Sequence, residues 1–190
     1  MAWITAIEGP AGSGKSTMFE KLIDTYKGYP NQTFFARPQF PRSMSPGLGA
    51  WGSSYLDYMA IAAAIMMPEN DYWVDRFLIS RTVYMAIQDN NSQLFPDWYQ
   101  RLHNSYTMLV TTAICDANYR IALDFRDRPK VEIRVLVPSL KQLLVQREQA
   151  SRTTGRSYAF RAETERALYL EVALGLQQEP IPGIAICIVE

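Results

Sequence analysis

A glycine-rich turn near the start of the chain constrains the fold more than any other feature. The apolar run 3–8 (WITAIE) leads into the turn 9–17 (GPAGSGKST). From Lys15 to about Lys27, apolar residues recur at helical spacing. A buried strand, a turn built on glycine and a helix are therefore predicted to follow one another directly.

The spacing of glycine, lysine and serine in residues 9–17, called the phosphate loop below, is typical of a phosphate-binding turn. A phosphate needs several backbone N–H donors close by, and glycine permits the dihedral angles and the close approach that this requires. The next helix adds its N-terminal dipole. The predicted nucleotide-binding residues are Gly9, Gly12, Ser13, Gly14, Lys15, Ser16 and Thr17. Lys15 would reach the β- and γ-phosphates as a catalytic residue, and the Ser16 hydroxyl would hold Mg²⁺.

Strand and helix patterns alternate along the rest of the chain. Further strands are predicted at 33–36, 72–74, 131–137 and 184–189, and helices at about 50–67, 79–89, 97–114, 139–149 and 158–178. Residues 119–125 fit an edge strand or a loop. The alternation predicts a single α/β domain over 1–190, a three-layer P-loop fold whose parallel sheet of about five strands is flanked by helices. Ligands of such folds bind at the carboxyl ends of the strands.

The composition limits the kinds of binding partner that we expect for the protein. The 19 basic and 19 acidic residues balance to zero net charge, whereas nucleic-acid binders are usually more basic. The longest apolar stretch, 59–68, is too short to span a bilayer, and the start of the chain leads directly into a strand. We therefore expect a cytoplasmic protein with no membrane partner. Cys115 and Cys187 are too few and too far apart for a zinc site or a disulfide framework, and their apolar neighbours predict that both are buried.

A phosphate loop is shared by switches, motors and kinases. The chain contains no Asn-Lys-x-Asp segment of the kind that selects guanine in GTPases. A motor would have adjacent acidic residues after an apolar strand, but residues 72–74 are followed by Asp75 and then Arg76. These two observations favour a kinase.

Residues 74–84 (VDRFLISRTVY) resemble the Asp-Arg-Tyr-x-x-Ser-x-x-Ala-Tyr signature of thymidylate kinases, and related deoxynucleoside kinases carry Glu-Arg-Ser there. The segment 8–17 is similar to the loop of both groups. Residues 40–58 and 156–168 resemble further stretches of the family. The resemblance implies ATP as the donor, with Asp75 near Mg²⁺ and the accepting oxygen, and Arg76 and Ser80 at the acceptor.

The same two residues have a physical interpretation of their own. A carboxylate such as Asp75 can position a metal or accept a proton, and an adjacent guanidinium neutralises phosphate charge. Both are therefore candidate catalytic residues, and Asp75 is a candidate metal ligand. The alternative is a surface ion pair at the end of a strand.

Arginines are concentrated late in the chain. Eight basic residues lie between Arg126 and Arg156, and the polar stretch that contains the last three suits a mobile lid. We call residues 147–157 the arginine segment. Arg147 is predicted to bind the nucleotide, while Arg152 and Arg156 would stabilise charge on the transferred phosphoryl group. The alternative is a solvated basic loop.

The acceptor is predicted to meet the loop 34–42, where aromatic residues and arginines mix. Such a mixture can stack on a base and hold a phosphate, although aromatic core residues with surface arginines would give the same pattern. The predicted acceptor-binding residues are Arg37, Phe40, Arg42, Arg76 and Ser80.

Two departures from the resemblance affect the acceptor. Thymidylate kinases carry an acidic residue where Ala11 stands, and deoxynucleoside kinases carry a glutamate where Arg37 stands. We expect a pyrimidine deoxynucleotide, dTMP-like or 5-hydroxymethyl-dUMP-like. One alternative is 5-hydroxymethyluracil within modified DNA, as for phage-encoded relatives, which would place the protein in the host cytoplasm. Another is a nucleotide-gated binding protein, and a homodimer stays open.

Overall fold

The computed structural model of the protein describes five stretches of chain. They are residues 2–36, 46–88, 93–118, 129–154 and 161–190, without the side chains of 46–54, 88, 118, 150 and 153–154. The predicted site residues Arg37, Phe40, Arg42 and Arg156 and the segment 119–125 lie outside the described residues.

One parallel sheet organises the fold. Its strands are β1 (Trp3–Glu8), β2 (Gln32–Phe35), β3 (Asp71–Asp75), β4 (Lys130–Leu136) and β5 (Ile184–Val189). They lie in the order β2-β3-β1-β4-β5, and every neighbouring pair is parallel. Because β1 is central, the phosphate loop that follows it emerges in the middle of the carboxyl edge of the sheet.

Six helices connect and cover the strands. They are α1 (Lys15–Tyr26), α2 (Pro46–Met66), α3 (Leu78–Gln88), α4 (Trp98–Asn118), α5 (Leu140–Thr154) and α6 (Ala162–Gln178). Within the described ranges, no helix is long and apolar enough to cross a membrane.

Four helix boundaries differ from prediction by four or five residues. Helix α2 begins at Pro46 rather than at about 50, and α4 ends at Asn118 rather than at 114. The other two lie at the arginine segment. Helix α5 continues to Thr154, so the predicted end at 149 is wrong and the first eight residues of the segment are helical. Glu148 and Arg152 pair at i,i+4 on its exposed side, which favours continued helix despite the polar composition. Helix α6 begins at Ala162 rather than at about 158, after Arg161 takes a left-handed conformation at φ 65°.

The helices cover both faces of the sheet. Ala6 belongs to the larger core, to which α2, α3, α4 and α6 contribute, whereas its neighbour Ile7 packs with Phe19 of α1. Adjacent strand residues point to opposite faces, so the predicted three-layer α/β fold is confirmed. The predicted burial of both cysteines is wrong, because Cys115 and Cys187 are exposed. Cys187 lies on the edge strand β5, where apolar sequence neighbours do not ensure cover.

Candidate active site

The phosphate loop connects β1 to α1 in a conformation that its glycines permit. Gly9, Gly12 and Gly14 have φ angles of 140°, 80° and 87°. An L side chain is strained at such angles, whereas glycine is not. Gly9 is also crowded, because a Cβ atom there would lie 2.4 Å from the carbonyl oxygen of Leu136. The spacing of glycines in the sequence thus sets the path of the loop.

Lys15 is folded back onto the loop that precedes it. Its Nζ donates hydrogen bonds to the carbonyl oxygens of Gly9 at 2.6 Å and Pro10 at 2.5 Å, and its residue exposure is 4%. Burial, followed by the nearby Arg76 guanidinium, lowers the pKa of Lys15 to about 7. A group that adds negative charge beside Nζ would favour the protonated form.

The two hydroxyl residues after Lys15 face outward. Ser16 and Thr17 are exposed in the first turn of α1. The first turn of a helix presents unsatisfied N–H groups and the positive end of the helix dipole. The loop therefore combines backbone donors, a lysine and accessible hydroxyls, the groups that bind a phosphate chain.

The end of β3 lies directly beside the start of this loop. Asp75 pairs in register with Ile7 of β1, and the Arg76 N–H donates to the Ile7 carbonyl oxygen at 3.0 Å. We call Asp75 and Arg76 the β3 exit. Both motifs follow the end of a strand, and the strand order places them side by side at the carboxyl edge of the sheet.

The β3 exit contains a strained residue and a buried carboxylate oxygen. Arg76 has φ 71°, which is uncommon for a residue other than glycine. Its guanidinium carbon lies 5.8 Å from the ring centroid of Tyr84. The Oδ1 atom of Asp75 is buried and accepts no hydrogen bond from any residue that the structure describes. Strain and an unpaired buried polar atom are features that cluster at functional positions.

Glu8, the last residue of β1, fixes the turn after β3. Its carboxylate accepts hydrogen bonds from the backbone N–H groups of Phe77 at 2.6 Å and Ser80 at 3.1 Å, and from the Ser80 hydroxyl. The Ser80 hydroxyl also lies 2.7 Å from the Tyr169 hydroxyl. Burial raises the pKa of Glu8, against the opposing effect of these hydrogen bonds. Glu8 thus joins the strand that leads into the phosphate loop to the turn that follows the β3 exit.

Glu165 of α6 lies at a second junction beside the loop. Its Oε1 accepts hydrogen bonds from the Ala11 N–H at 2.6 Å and the Tyr84 hydroxyl at 2.9 Å. Its Oε2 lies 2.6 Å from Nη2 of Arg147, whose Nε donates to the Ala11 carbonyl oxygen at 2.7 Å. Burial raises the pKa of Tyr84 to about 12, so its hydroxyl stays protonated and donates.

The two arginines of the arginine segment that the structure describes have opposite environments. Arg147 is 1% exposed and packs against the phosphate loop, whereas the sequence predicted a residue of a mobile lid. Its contact with the nucleotide stays a prediction. Arg152 lies in the last turn of α5, and its side chain is 77% exposed beside Glu148. Only the second environment leaves an arginine free to move toward a ligand.

The structure describes two of the five predicted acceptor-binding residues. Arg76 lies at the β3 exit, half-buried. Ser80 is 1% exposed and its hydroxyl contacts Glu8 and Tyr169, so it supports the exit rather than facing outward. The remaining three predicted residues lie outside the described ranges.

The predicted Mg²⁺ ligands suit this ion by their chemistry. Mg²⁺ prefers oxygen ligands and is commonly held by one or two protein groups together with phosphates and water. Ser16 offers an exposed hydroxyl, and Asp75 offers a carboxylate whose Oδ1 has no partner in the described part of the chain. No cluster of three or more His, Cys, Asp or Glu residues occurs in that part of the chain, and a Mg²⁺ site of this kind needs none.

Sequence reasoning missed three residues of the site. Glu8 and Glu165 are buried carboxylates, and Tyr84 connects Glu165 to Arg76. Glu8 had a detectable signal, since an acidic residue ending an apolar strand needs a polar partner if it is buried. Glu165 had none, because one acidic residue in an ordinary helical pattern does not reveal what it contacts across 154 residues.

No protein-family model matches the chain, and no curated protein matches it. Among solved structures, it is similar to deoxyadenosine kinase from M. mycoides. The structure with bound dCTP is 18% identical at a TM-score of 0.49, over 98% of this chain and 89% of that chain. The structure with bound dATP is 17% identical at a TM-score of 0.46, over 98% and 90%. A third, with dCMP and dCDP, is 17% identical at a TM-score of 0.46, over 98% and 89%.

Proposed function

We propose that this protein transfers the γ-phosphoryl group of ATP to a pyrimidine deoxynucleotide. One observation carries the proposal: a lysine-bearing phosphate loop and an Asp-Arg pair lie side by side, joined by the hydrogen bond from the Arg76 N–H to Ile7. A triphosphate donor needs the first group and an acceptor needs the second. ATP rather than another triphosphate is inferred from the resemblance to thymidylate and deoxynucleoside kinases.

On the donor side, the loop amides and Lys15 bind the phosphate chain. Nζ of Lys15 leaves the carbonyl oxygens of Gly9 and Pro10 for the more strongly negative phosphate oxygens. Arg152 and Arg156 approach when the arginine segment closes and neutralise charge on the transferred group. Arg147 remains behind the loop.

On the acceptor side, Arg76 holds the acceptor's phosphate and Arg37, Phe40 and Arg42 complete its site. The accepting oxygen forms a bond to the γ-phosphorus while the bond to the β–γ bridging oxygen breaks, and ADP leaves. Ser16 and Asp75 would hold Mg²⁺, which supplies charge neutralisation on the phosphates when bound. Asp75 has a further task only if the accepting group carries a proton.

The proton requirement separates the two acceptor classes. The phosphate of dTMP is ionised near neutral pH, so it attacks without a general base. The hydroxyl of 5-hydroxymethyluracil in DNA must lose a proton, which Asp75 would accept. Ala11 favours this second candidate, since position 11 carries no side-chain carboxylate to hold a free 3′-hydroxyl.

A radiolabel transfer assay tests the proposal. The protein is incubated with Mg²⁺, γ-labelled ATP and one acceptor: dTMP, 5-hydroxymethyl-dUMP, thymidine, or duplex DNA containing 5-hydroxymethyluracil. Label in a free deoxynucleoside diphosphate is the expected result, and label in polymer supports the second candidate. Labelled inorganic phosphate as the only product would overturn both kinase candidates and favour a nucleotide-gated binding protein.

A further inference from the structure

Ala11 in the phosphate loop is held at both of its backbone polar groups. Its N–H donates to Oε1 of Glu165 at 2.6 Å, and its carbonyl oxygen accepts from Nε of Arg147 at 2.7 Å. The two side chains come from α6 and α5. Two helices that lie far from the loop in sequence therefore both bind the backbone of this one loop residue.

Those two side chains also form an ion pair with each other. Nη2 of Arg147 lies 2.6 Å from Oε2 of Glu165, and the side chains are 2% and 7% exposed. Arg147 is the first residue of the arginine segment, and Glu165 lies in the first turn of the helix beyond it. The ion pair thus joins α5, which carries Arg152, to the first turn of α6.

Packing against the loop accompanies these bonds. A Cβ atom on Gly12 would lie 2.7 Å from Cγ of Arg147, so the aliphatic part of the arginine rests against the loop backbone. Gly12 is needed for this contact as well as for its φ of 80°. The arginine therefore fixes the loop by shape and by hydrogen bonding together.

The charges have a consequence for a polyanionic ligand. A lone carboxylate beside a phosphate-binding loop repels the ligand, and the repulsion is strong where water is excluded. The guanidinium of Arg147 cancels that charge at 2.6 Å, while Ala11 and Tyr84 donate to the other carboxylate oxygen. Glu165 therefore supports the loop without opposing phosphate binding.

We propose that Arg147 and Glu165 are positioning residues that form a neutral clamp, which fixes the phosphate loop to helices α5 and α6. The clamp rests on the proposed function, because it matters only if the loop binds a triphosphate and Arg152 of α5 acts on it. Neither residue touches the ligand; both act through Ala11.

Removing Arg147 and removing Glu165 change the charge beside the phosphate loop in opposite directions. Arg147→Met leaves Glu165 charged and unpaired beside the loop, so it weakens binding most for the most highly charged ligand. Arg147→Met/Glu165→Gln removes that charge and restores most of the affinity that Arg147→Met loses. Arg147→Lys keeps the positive charge and keeps the preference among ligands.

Calorimetric titration of ATP, ADP and AMP into each full-length variant tests this. Arg147→Met is expected to weaken ATP binding by at least ~10-fold, and ADP and AMP progressively less. Glu163→Gln is the matched control, since Glu163 is an exposed acid in the same helical turn. Its affinities are expected to equal those of the wild type.

Steady-state kinetics test the connection to the arginine segment. Arg152→Ala is expected to lower kcat in the wild-type background and to lower it less in the Glu165→Gln background, because α5 without its ion pair to α6 no longer holds Arg152 in the correct position. Such non-additivity is a direct measure of coupling between the two positions.

Each outcome is decisive. If the wild type binds no triphosphate, the proposed function fails before the clamp is tested. If the wild type binds and transfers but Arg147→Met and Glu165→Gln behave like Glu163→Gln, the clamp is overturned. Equal losses for ATP, ADP and AMP that follow thermal stability would reduce the pair to a structural role. Should Arg147→Met not fold, Glu165→Gln tests the same pair from the other side. It leaves Arg147 charged and unpaired, so its preference for ATP over ADP and AMP is expected to exceed that of Arg147→Lys, and an unchanged preference would overturn the clamp.

Discussion

The phosphate loop and the β3 exit are neighbours that are stabilised in different ways. In the loop, positive φ angles fall on glycine and Lys15 has protein partners for its charge. At the exit, a positive φ falls on Arg76, and Oδ1 of Asp75 accepts no hydrogen bond from the residues that the structure describes. Glycine lets the loop adopt its positive φ angles without strain, whereas at the exit the strained backbone of Arg76 lies beside the polar groups. This contrast suits a preformed donor site beside an acceptor site whose reactive groups are held by surrounding structure.

The buried carboxylates of Glu8 and Glu165 support the β3 exit and the phosphate loop. They differ in how their negative charge is compensated. Glu8 accepts hydrogen bonds from neutral N–H and O–H groups, and burial raises its pKa. Glu165 accepts a comparable set but also pairs with Arg147. A full counter-charge accompanies the carboxylate that touches the loop itself, where an uncompensated negative charge would act on the phosphates.

Loss of the loop lysine should give the largest effect. Lys15→Ala is expected to lower transfer by ~1,000-fold, because no other side chain replaces its charge at the β- and γ-phosphates. Initial rates with saturating acceptor measure this. The control is Lys21→Ala, an exposed lysine on α1 that should leave the rate unchanged. Full activity of Lys15→Ala would show that the loop does not bind the reacting triphosphate.

Asp75→Asn should affect the exit without affecting the loop. Transfer is expected to slow by at least ~100-fold, as for loss of a general base or metal ligand, while ATP affinity stays near that of the wild type. Asp71→Asn, at the exposed start of the same strand, is the control. If Asp75→Asn instead abolished ATP binding and spared turnover, the division between donor and acceptor sites would be wrong.

Two glycine substitutions separate backbone strain from contact with Arg147. Gly12→Ala should lower the free energy of unfolding by about 3 kcal/mol, from left-handed strain plus overpacking. Gly14→Ala should cost about 1 kcal/mol from strain alone, since nothing lies within 4 Å of its added Cβ. Urea titration measures both. Equal losses would contradict the packing of Arg147 against Gly12.

The smallest effect concerns pH. Burial lowers the pKa of Lys15 to about 7 in the free protein, and a bound triphosphate should raise it, so binding takes up a proton above pH 7. Affinity for ATP is then expected to fall with rising pH, approaching about tenfold per unit above pH 7. Calorimetry at pH 8 in two buffers of different ionisation enthalpy measures the uptake. Lys15→Arg should abolish it, and an absence of uptake in the wild type would refute the shift.

Local features predicted most of the fold. The segments 3–8 and 131–137 became β1 and β4 with boundaries within one residue of prediction, because apolar residues occupy their buried positions. The end of α5 was missed because a polar, arginine-rich stretch is typical of a loop, yet i,i+4 pairing sustains the helix there. The exposure of Cys187 was missed because burial at a sheet edge depends on what covers it, and that of Cys115 because it lies on the exposed side of helix α4.

The sequence alone determined the phosphate loop and the order of the elements. Glycine spacing fixes dihedral angles locally, and alternation of strand and helix leads to a parallel sheet whose loops share one edge. Only the tertiary structure decided how that loop is held. Ala11, Arg147 and Glu165 meet across as many as 154 residues, and such a contact depends on how α5 and α6 pack, which periodicity does not encode. The same packing places Arg147 behind the loop, whereas its sequence context alone predicted a mobile lid residue.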